Sequence, residues 1–211
     1  MPGITGIISK IAAEEIDVAQ MTESMLHEPT YHFGKYANKN LGAYFGWASH
    51  RGSFADCMPV WNETKDICLV FSGEDFTDPN EISELKSRGH QFNADDASYL
   101  VHLYEERGLK FIGQLNGWFS GALVDLRQEK IILFNDRYGL GRIYYYEKGD
   151  DLYFSSEAKS LLKVLPDLHR LDPKGLAETF SFGCVLQNRI LFAGISLLPG
   201  GAWTSFLTPF H

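Results

Sequence analysis

Cysteine is scarce in this chain. Cys57, Cys68 and Cys184 form an odd, widely spaced set without a C-x-x-C pair, which argues against both a cysteine zinc site and a disulfide framework, so no metal is assigned. No apolar run approaches the ~18 residues of a membrane span, and no basic segment leading into an apolar one opens the chain. A cytoplasmic setting is therefore the expectation, with no membrane partner. Basic charge is also short. Against 27 acidic residues stand 19 basic ones, a net charge of -8 with no Lys/Arg run, so nucleic acid is not an expected partner. Internal repeats and low-complexity segments are lacking too.

What is present suits a globular protein of 211 residues, with 45% hydrophobic and 22% charged residues, enough to bury a core within one domain. The chain begins on an apolar stretch, Met1 to Ile8, that reads as a strand, with Gly3 and Gly6 where another backbone can come close. The spacing of Ile16, Ala19, Met21, Met25 and Leu26 predicts an amphipathic helix from Ala13, with Glu14 and Glu15 in its first turn. A polar loop is expected from His27 to Asn40. Strands follow at Leu41 to Ala48, Met58 to Trp61 and Ile67 to Phe71. Asp78-Pro79 signals a helix start and Gly89 its end, and Asp95 or Asp96 caps another helix running to Gly108. A short helix is expected over Lys110 to Leu115.

Beyond Gly117 four β-rich runs appear, Trp118 to Asp125, Ile131 to Asn135, Ile143 to Tyr146 and Leu152 to Ser155, separated by turn-like residues. Ser156 to Val164 reads as a capped helix, and Asp172-Pro173 opens another through Phe180. Two groups of strands around a pair of helices, without strict β-then-α alternation, predict an α+β fold with antiparallel sheets.

Several segments in order carry a more specific signal. Met1-Pro2-Gly3-Ile4-Thr5-Gly6-Ile7 is similar to an M-C-G-I-x-G-I start, Leu115 through Asp125 to L-x-G-M-F-A-F-A-L-x-D, Asn135-Asp136-Arg137-Tyr138-Gly139 to R-D-R-x-G, and Ser155-Ser156-Glu157-Ala158-Lys159-Ser160-Leu161 to A-S-E-x-K-A-L. Leu198-Pro199-Gly200 sits where an L-P-P-G is expected. Together they resemble the class II glutamine amidotransferase domain of the asparagine synthetase family, over residues 1–201, with 202–211 left as a tail or the start of a linker to a synthetase domain. The resemblance implies a four-layer αββα sandwich, the fold of N-terminal-nucleophile hydrolases.

In that family the second residue is a cysteine whose thiolate attacks the glutamine carboxamide while the freed terminal amine moves the proton. Here Pro2 stands there, and proline has no nucleophilic side chain. The family's N-G-E oxyanion segment corresponds to Ser72-Gly73-Glu74, so the Asn donor is replaced while the Gly73 N–H remains. Its substrate clamp corresponds to Arg51 for the α-carboxylate, a fork suited to Arg, with Glu74 and Asp96 for the α-amino group. Each has a plainer reading: Arg51 as a surface arginine, Asp96 as a helix cap, Glu74 as a solvated loop acid, and His50, Trp47 and Tyr144 to Tyr146 as packing residues.

The resemblance therefore implies a glutaminase-type domain that is catalytically silent and serves an ATP-dependent amide-forming domain in cis or in trans. The S-G-G-x-D-S pyrophosphate loop of such a domain is lacking in these residues, so ATP and Mg²⁺ enter only if a synthetase domain is attached. The expected partners are that domain, a glutamine-like small molecule and a second copy of the chain. Two alternatives stand beside this reading: a hydrolase using Thr5 or a cysteine as nucleophile after processing, and an interaction module without a ligand.

Overall fold

The computed structural model describes residues 2–9 and 15–207. The expected helix start at Ala13 and Glu14, Met1, and residues 208–211 lie outside them. Among the described residues eleven strands form two antiparallel sheets. The first is ordered β10-β8-β9-β1-β3-β2, from Ser196–Leu197, Tyr144–Lys148, Asp151–Ser155, Gly3–Ile8, Ala43–His50 and Tyr31–Asn38. The second is ordered β11-β7-β6-β5-β4, from Trp203–Leu207, Lys130–Asn135, Gly117–Asp125, Ile67–Asp75 and Val60–Trp61.

β1 is central, pairing with β3 on one side and β9 on the other, and all six of its residues are buried. Because successive side chains point to opposite faces, Ile4 and Ile8 enter the core shared with the second sheet, while Ile7 enters a separate cluster with Val18, Met21, Leu161 and Leu165. That second cluster is made by α1 (Glu15–Met25) and α4 (Ala158–Val164), which cover the outer face of the first sheet. On the second sheet, α3 (Leu100–Arg107) packs against β5 with Leu100, Leu103 and Tyr104 buried. The layers run helix, sheet, sheet, helix, as the resemblance implied. α2 (Pro79–Ser87) and α5 (Pro173–Phe182) complete the helices among the described residues, each opened by the aspartate and proline that signal it in the sequence.

Four expectations need correcting. The polar stretch expected as a loop holds β2, an edge strand with only Tyr31 buried, so it lacks the apolar face that marks a strand. Its Gly34 is there because a Cβ would lie 2.3 Å from the Trp47 ring. The helix expected from Ser156 starts at Ala158 without a side-chain cap, because Ser156 binds β1 instead. The short helix over Lys110 to Leu115 is a 3₁₀ turn at Gly108–Phe111. Trp203–Leu207, in the stretch set apart as a tail, pairs with β7 from Lys130 to Phe134, completing the edge of a sheet that residues 1–201 leave one strand short.

One loop fixes a wall of the molecule. Asp136 is fully buried; its Oδ1 accepts the N–H groups of Tyr138 and Leu140, and its Oδ2 those of Phe119 and Gly141. An asparagine there would turn its amide nitrogen onto two N–H donors. Asp136→Asn is expected to cost about 3 kcal/mol, the scale for buried groups losing a charged partner. The change should appear as a lower urea midpoint at unchanged slope; an unmoved midpoint would refute this role.

Candidate functional site

The loop after β7 and the ends of β3, β5 and β6 surround the start of β1. Ile4 N donates to Ser156 Oγ at 2.9 Å and Ser156 N returns a bond to the Ile4 carbonyl at 2.8 Å. This pair fixes where the chain enters the sheet, so Pro2 stands at the wall of a cleft of about 900 Å³. That volume is at the upper end of small-molecule sites. The cleft is also lined by Ser72, Gly73 and Glu74 from β5, Trp118 and Ser120 from β6, Leu140 to Arg142 from the Asp136 loop, and Ser156 to Lys159.

Four of the six expected site residues thus meet: Pro2, Ser72, Gly73 and Glu74. Gly73 has φ +123°, and a Cβ on it would lie 2.0 Å from the Trp118 carbonyl oxygen, so this backbone shape admits only glycine. Ser72 is nearly buried and offers a short hydroxyl where the family pattern has a longer amide. Burial raises the Glu74 carboxyl above its ordinary value, so an ammonium group placed opposite it would find a partner poorly served by water.

The other two do not line the cleft. Arg51 is exposed in the turn just past β3, beside Gly52, and among the described residues it has no ion-pair partner. Its neighbours His50 and Ser53 do reach the cleft. Asp96 caps the 3₁₀ turn Ala97–Tyr99, accepting from Ser98 N at 2.9 Å and Asn93 Nδ2 at 2.8 Å. The plainer reading of that residue as a helix cap is the one its geometry fits.

The alternative nucleophiles are poorly placed. Thr5 is fully buried in mid-strand and donates to the Phe154 carbonyl at 3.0 Å. Cys57 is half-buried and its thiol is pushed up to about 12, first by burial and then by Asp96, while burial also raises Cys68. None of the three cysteines lines the cleft.

A polar group that the sequence marked only as scaffold lines the same cleft. His27 Nε2 lies 2.8 Å from Glu157 Oε1, and Lys159 Nζ lies 3.1 Å from both Glu157 Oε2 and His27 Nε2. Burial would raise the Glu157 carboxyl, but lowering interactions, of which the bonds from His27 and Lys159 are the largest, hold the group below the ordinary carboxylate range. The signal was present in Glu157 and Lys159 of the A-S-E-x-K-A-L match. What the sequence could not supply was His27, which comes from just past the end of α1. The described residues that could together hold a metal ion, Glu63, His90, His102 and Glu105, lie outside the cleft.

With this geometry in place, the comparisons identify the class and then the family. The architecture matches two solved structures. One is the glutamine phosphoribosylpyrophosphate amidotransferase of B. subtilis complexed with ADP and GMP, at TM-score 0.62 and 13% identity over 99% of this chain and 50% of that one. The other is the allosteric regulatory enzyme of purine biosynthesis, at TM-score 0.64 and 14% identity over 99% and 49%. At such identities the likeness establishes the fold, an α+β sandwich of the N-terminal-nucleophile type. Residues 1–208 match the glutamine amidotransferase domain family, and the chain belongs to that family.

Among curated relatives, asparagine synthetase [glutamine-hydrolyzing] 2 of Bacillus subtilis (strain 168) is 31% identical over 169 residues, 76% of this chain and 22% of the relative. Asparagine synthetase [glutamine-hydrolyzing] 1 of the same organism is 26% identical over 97% of this chain and 33% of the relative. The chain thus spans a third or less of the length of these relatives. No helix among the described residues is long and apolar enough to cross a membrane.

Glu157 gives a pH test. A carboxyl held low in the folded protein adds stability that is present above its unfolded value and is lost as the pH falls through its folded value. His27→Ala and Lys159→Met should each move the Glu157 carboxyl upward, read by ¹³C NMR titration of that carboxyl. If neither variant moves it, the two side chains are not what holds it low.

Proposed function

We propose that this chain is a silenced glutaminase-type domain of an asparagine synthetase-like protein. It keeps the amidotransferase scaffold and a ligand cleft but does not cleave amides. The observation that supports the reading is Pro2 lining the same cleft as Ser72 and Gly73. Acyl transfer needs a nucleophile paired with a base, and a proline side chain supplies neither a thiol nor a hydroxyl.

The exchange of Asn for Ser72 weakens charge stabilisation as well, since loss of one oxyanion donor costs about 10²–10³ in rate. Glu74 remains available to an ammonium group. The binding role proposed for Arg51 requires its exposed, unpartnered side chain to swing over the cleft rim from its present turn. Asp96 contributes through the cap beneath Phe54, whose carbonyl accepts from Ala97 N at 2.9 Å. The domain's work is then to hold an amino-acid-like ligand and to pack against an amide-forming synthetase domain, in cis or in trans, in a cytoplasmic protein. ATP and Mg²⁺ belong to that second domain, and self-association into a homodimer is a further possible assembly.

A second reading is favoured by Arg51 and Asp96 standing outside the cleft lining: an interaction module whose cleft stays empty. Calorimetry with glutamine, glutamate and asparagine separates the two, because heat saturating at one equivalent supports the ligand cleft and its loss in Glu74→Gln places the ligand's amine.

The silenced reading predicts no glutamate release from glutamine above the buffer control. Pro2→Cys combined with Ser72→Asn should turn over below about 0.1 s⁻¹, against the roughly 10 s⁻¹ of an ordinary enzyme. Glutaminase activity in the unaltered chain that disappears with Arg51→Ala would overturn it.

A further inference from the structure

At the end of β5 away from the cleft, three separate segments bring two histidines and two glutamates to one point. Glu63 comes from the β4–β5 turn, His90 from the link after α2, and His102 and Glu105 from α3. One ligand atom from each lies within 4.8 Å of all the others. His102 Nδ1 is 2.9 Å from Glu105 Oε2 and 3.5 Å from Glu63 Oε2, while His90 Nδ1 is 3.7 Å from Glu105 Oε2 and 3.9 Å from Glu63 Oε1. Bonds of about 2.0–2.1 Å to a tetrahedral ion would set neighbouring ligand atoms about 3.3 Å apart. The observed separations straddle that value.

Ion pairing by itself accounts for one carboxylate at each ring. Here both Nδ1 atoms face the same two carboxylates, and the two rings lie side by side with centroids 4.7 Å apart. The groups behind them are also arranged. His90 turns its other nitrogen, Nε2, to Glu106 Oε1 at 3.1 Å, and Glu106 in turn is held by Arg88. Glu105 Oε1 accepts from Asn62 Nδ2 at 2.8 Å, and Glu63 Oε1 accepts from Gln91 N at 2.9 Å. Asn62 is nearly buried, and its Oδ1 accepts the N–H groups of Asp66 and Ile67, which ties the cluster to the β4–β5 turn. His102 is buried with Phe92 stacked on it. A histidine whose far nitrogen meets a carboxylate, as at His90, and a glutamate whose spare oxygen is bonded, as at Glu105, are the usual support around a bound metal.

We propose that Glu63, His90, His102 and Glu105 form a binding site for one divalent transition-metal ion of the zinc class. Two neutral imidazoles and two carboxylates match a divalent charge. The nitrogen content favours zinc over magnesium or calcium, which prefer all-oxygen surroundings. Four protein ligands leave no open position, so the site is structural: the ion clamps α3 and the link after α2 to the turn that starts β5. This site stands independently of the function assigned to the cleft.

The test loads chelator-treated, full-length chain with Zn²⁺ and counts bound metal after desalting, with Co²⁺ as a coloured probe of geometry. One equivalent of zinc, intense visible cobalt bands of a tetrahedral ion, and a melting temperature that rises with free Zn²⁺ are expected. His90→Gln and Glu63→Gln, both at positions that reach solvent, should weaken Zn²⁺ binding at least 100-fold, and Glu106→Gln about 10–100-fold. Less than a tenth of an equivalent bound at saturating Zn²⁺, or affinity unchanged in both His90→Gln and Glu63→Gln, would overturn the proposal.

Discussion

The geometry of the cleft depends on how one strand is seated. β1 is bonded on both edges and buried on both faces, and its first residues are pinned by the reciprocal bonds between Ile4 and Ser156. A chain end normally frays because nothing repays its ordering. Here two neighbouring strands and two layers of apolar side chains repay it, so the residue that precedes the ladder is carried to a defined place. The other cleft walls are fixed with comparable economy: Asp136 gathers four backbone N–H groups, and Asp75, next to Glu74, accepts from Tyr99 Oη at 2.8 Å and Asn116 N at 2.7 Å.

This seating explains why position 2 tolerates proline. The register with β3 begins at Gly3, so the N–H that proline lacks is not required by the sheet, and proline is at home at the start of a strand. Fold and chemistry are therefore separable at this residue. Ser72 differs in kind, because it lies within the β5–β6 ladder opposite Ser120. A small polar side chain fits there, and its exchange for an amide changes what faces the cleft without disturbing the ladder.

Much of the architecture was legible because burial wrote it into the sequence. β1, β5, β6, β7 and β9 are apolar runs, and the Asp-Pro pairs at 78–79 and 172–173 announced two helices that begin where expected. The stretches that escaped are edges: β2 alternates weakly because only Tyr31 in it is buried, β10 has two residues, and β11 lies past a turn-rich segment that suggested an ending. For the site, the strand-end residues Ser72, Gly73 and Glu74 could be placed because their neighbours fix the register. Arg51 and Asp96 could not, because each lies on a turn whose direction is set by contacts that a linear motif does not encode. His27 escaped for the same reason, being brought to Glu157 only when α1 and α4 pack together.

The His–Glu cluster lies at the far limit of such legibility. A cysteine count gave no sign of it: its members are spread over three segments, and only His102 and Glu105 on α3 stand at helical i,i+3 spacing. They converge only because β4 turns back into β5 and α3 lies across that strand. Its position also says something about how the domain is held. The cleft end of β5 is secured by Asp75, by the ladder to β6 and by the seat of β1. At the other end β4 contributes only two paired residues, Val60 opposite Leu69 and Trp61 opposite Cys68, and a two-residue strand adds little pairing energy of its own. The side chains of Asn62, Glu63 and Glu105 are concentrated where backbone pairing is shortest, so polar clamping there complements, at the opposite pole of the same strand, the apolar burial that seats β1.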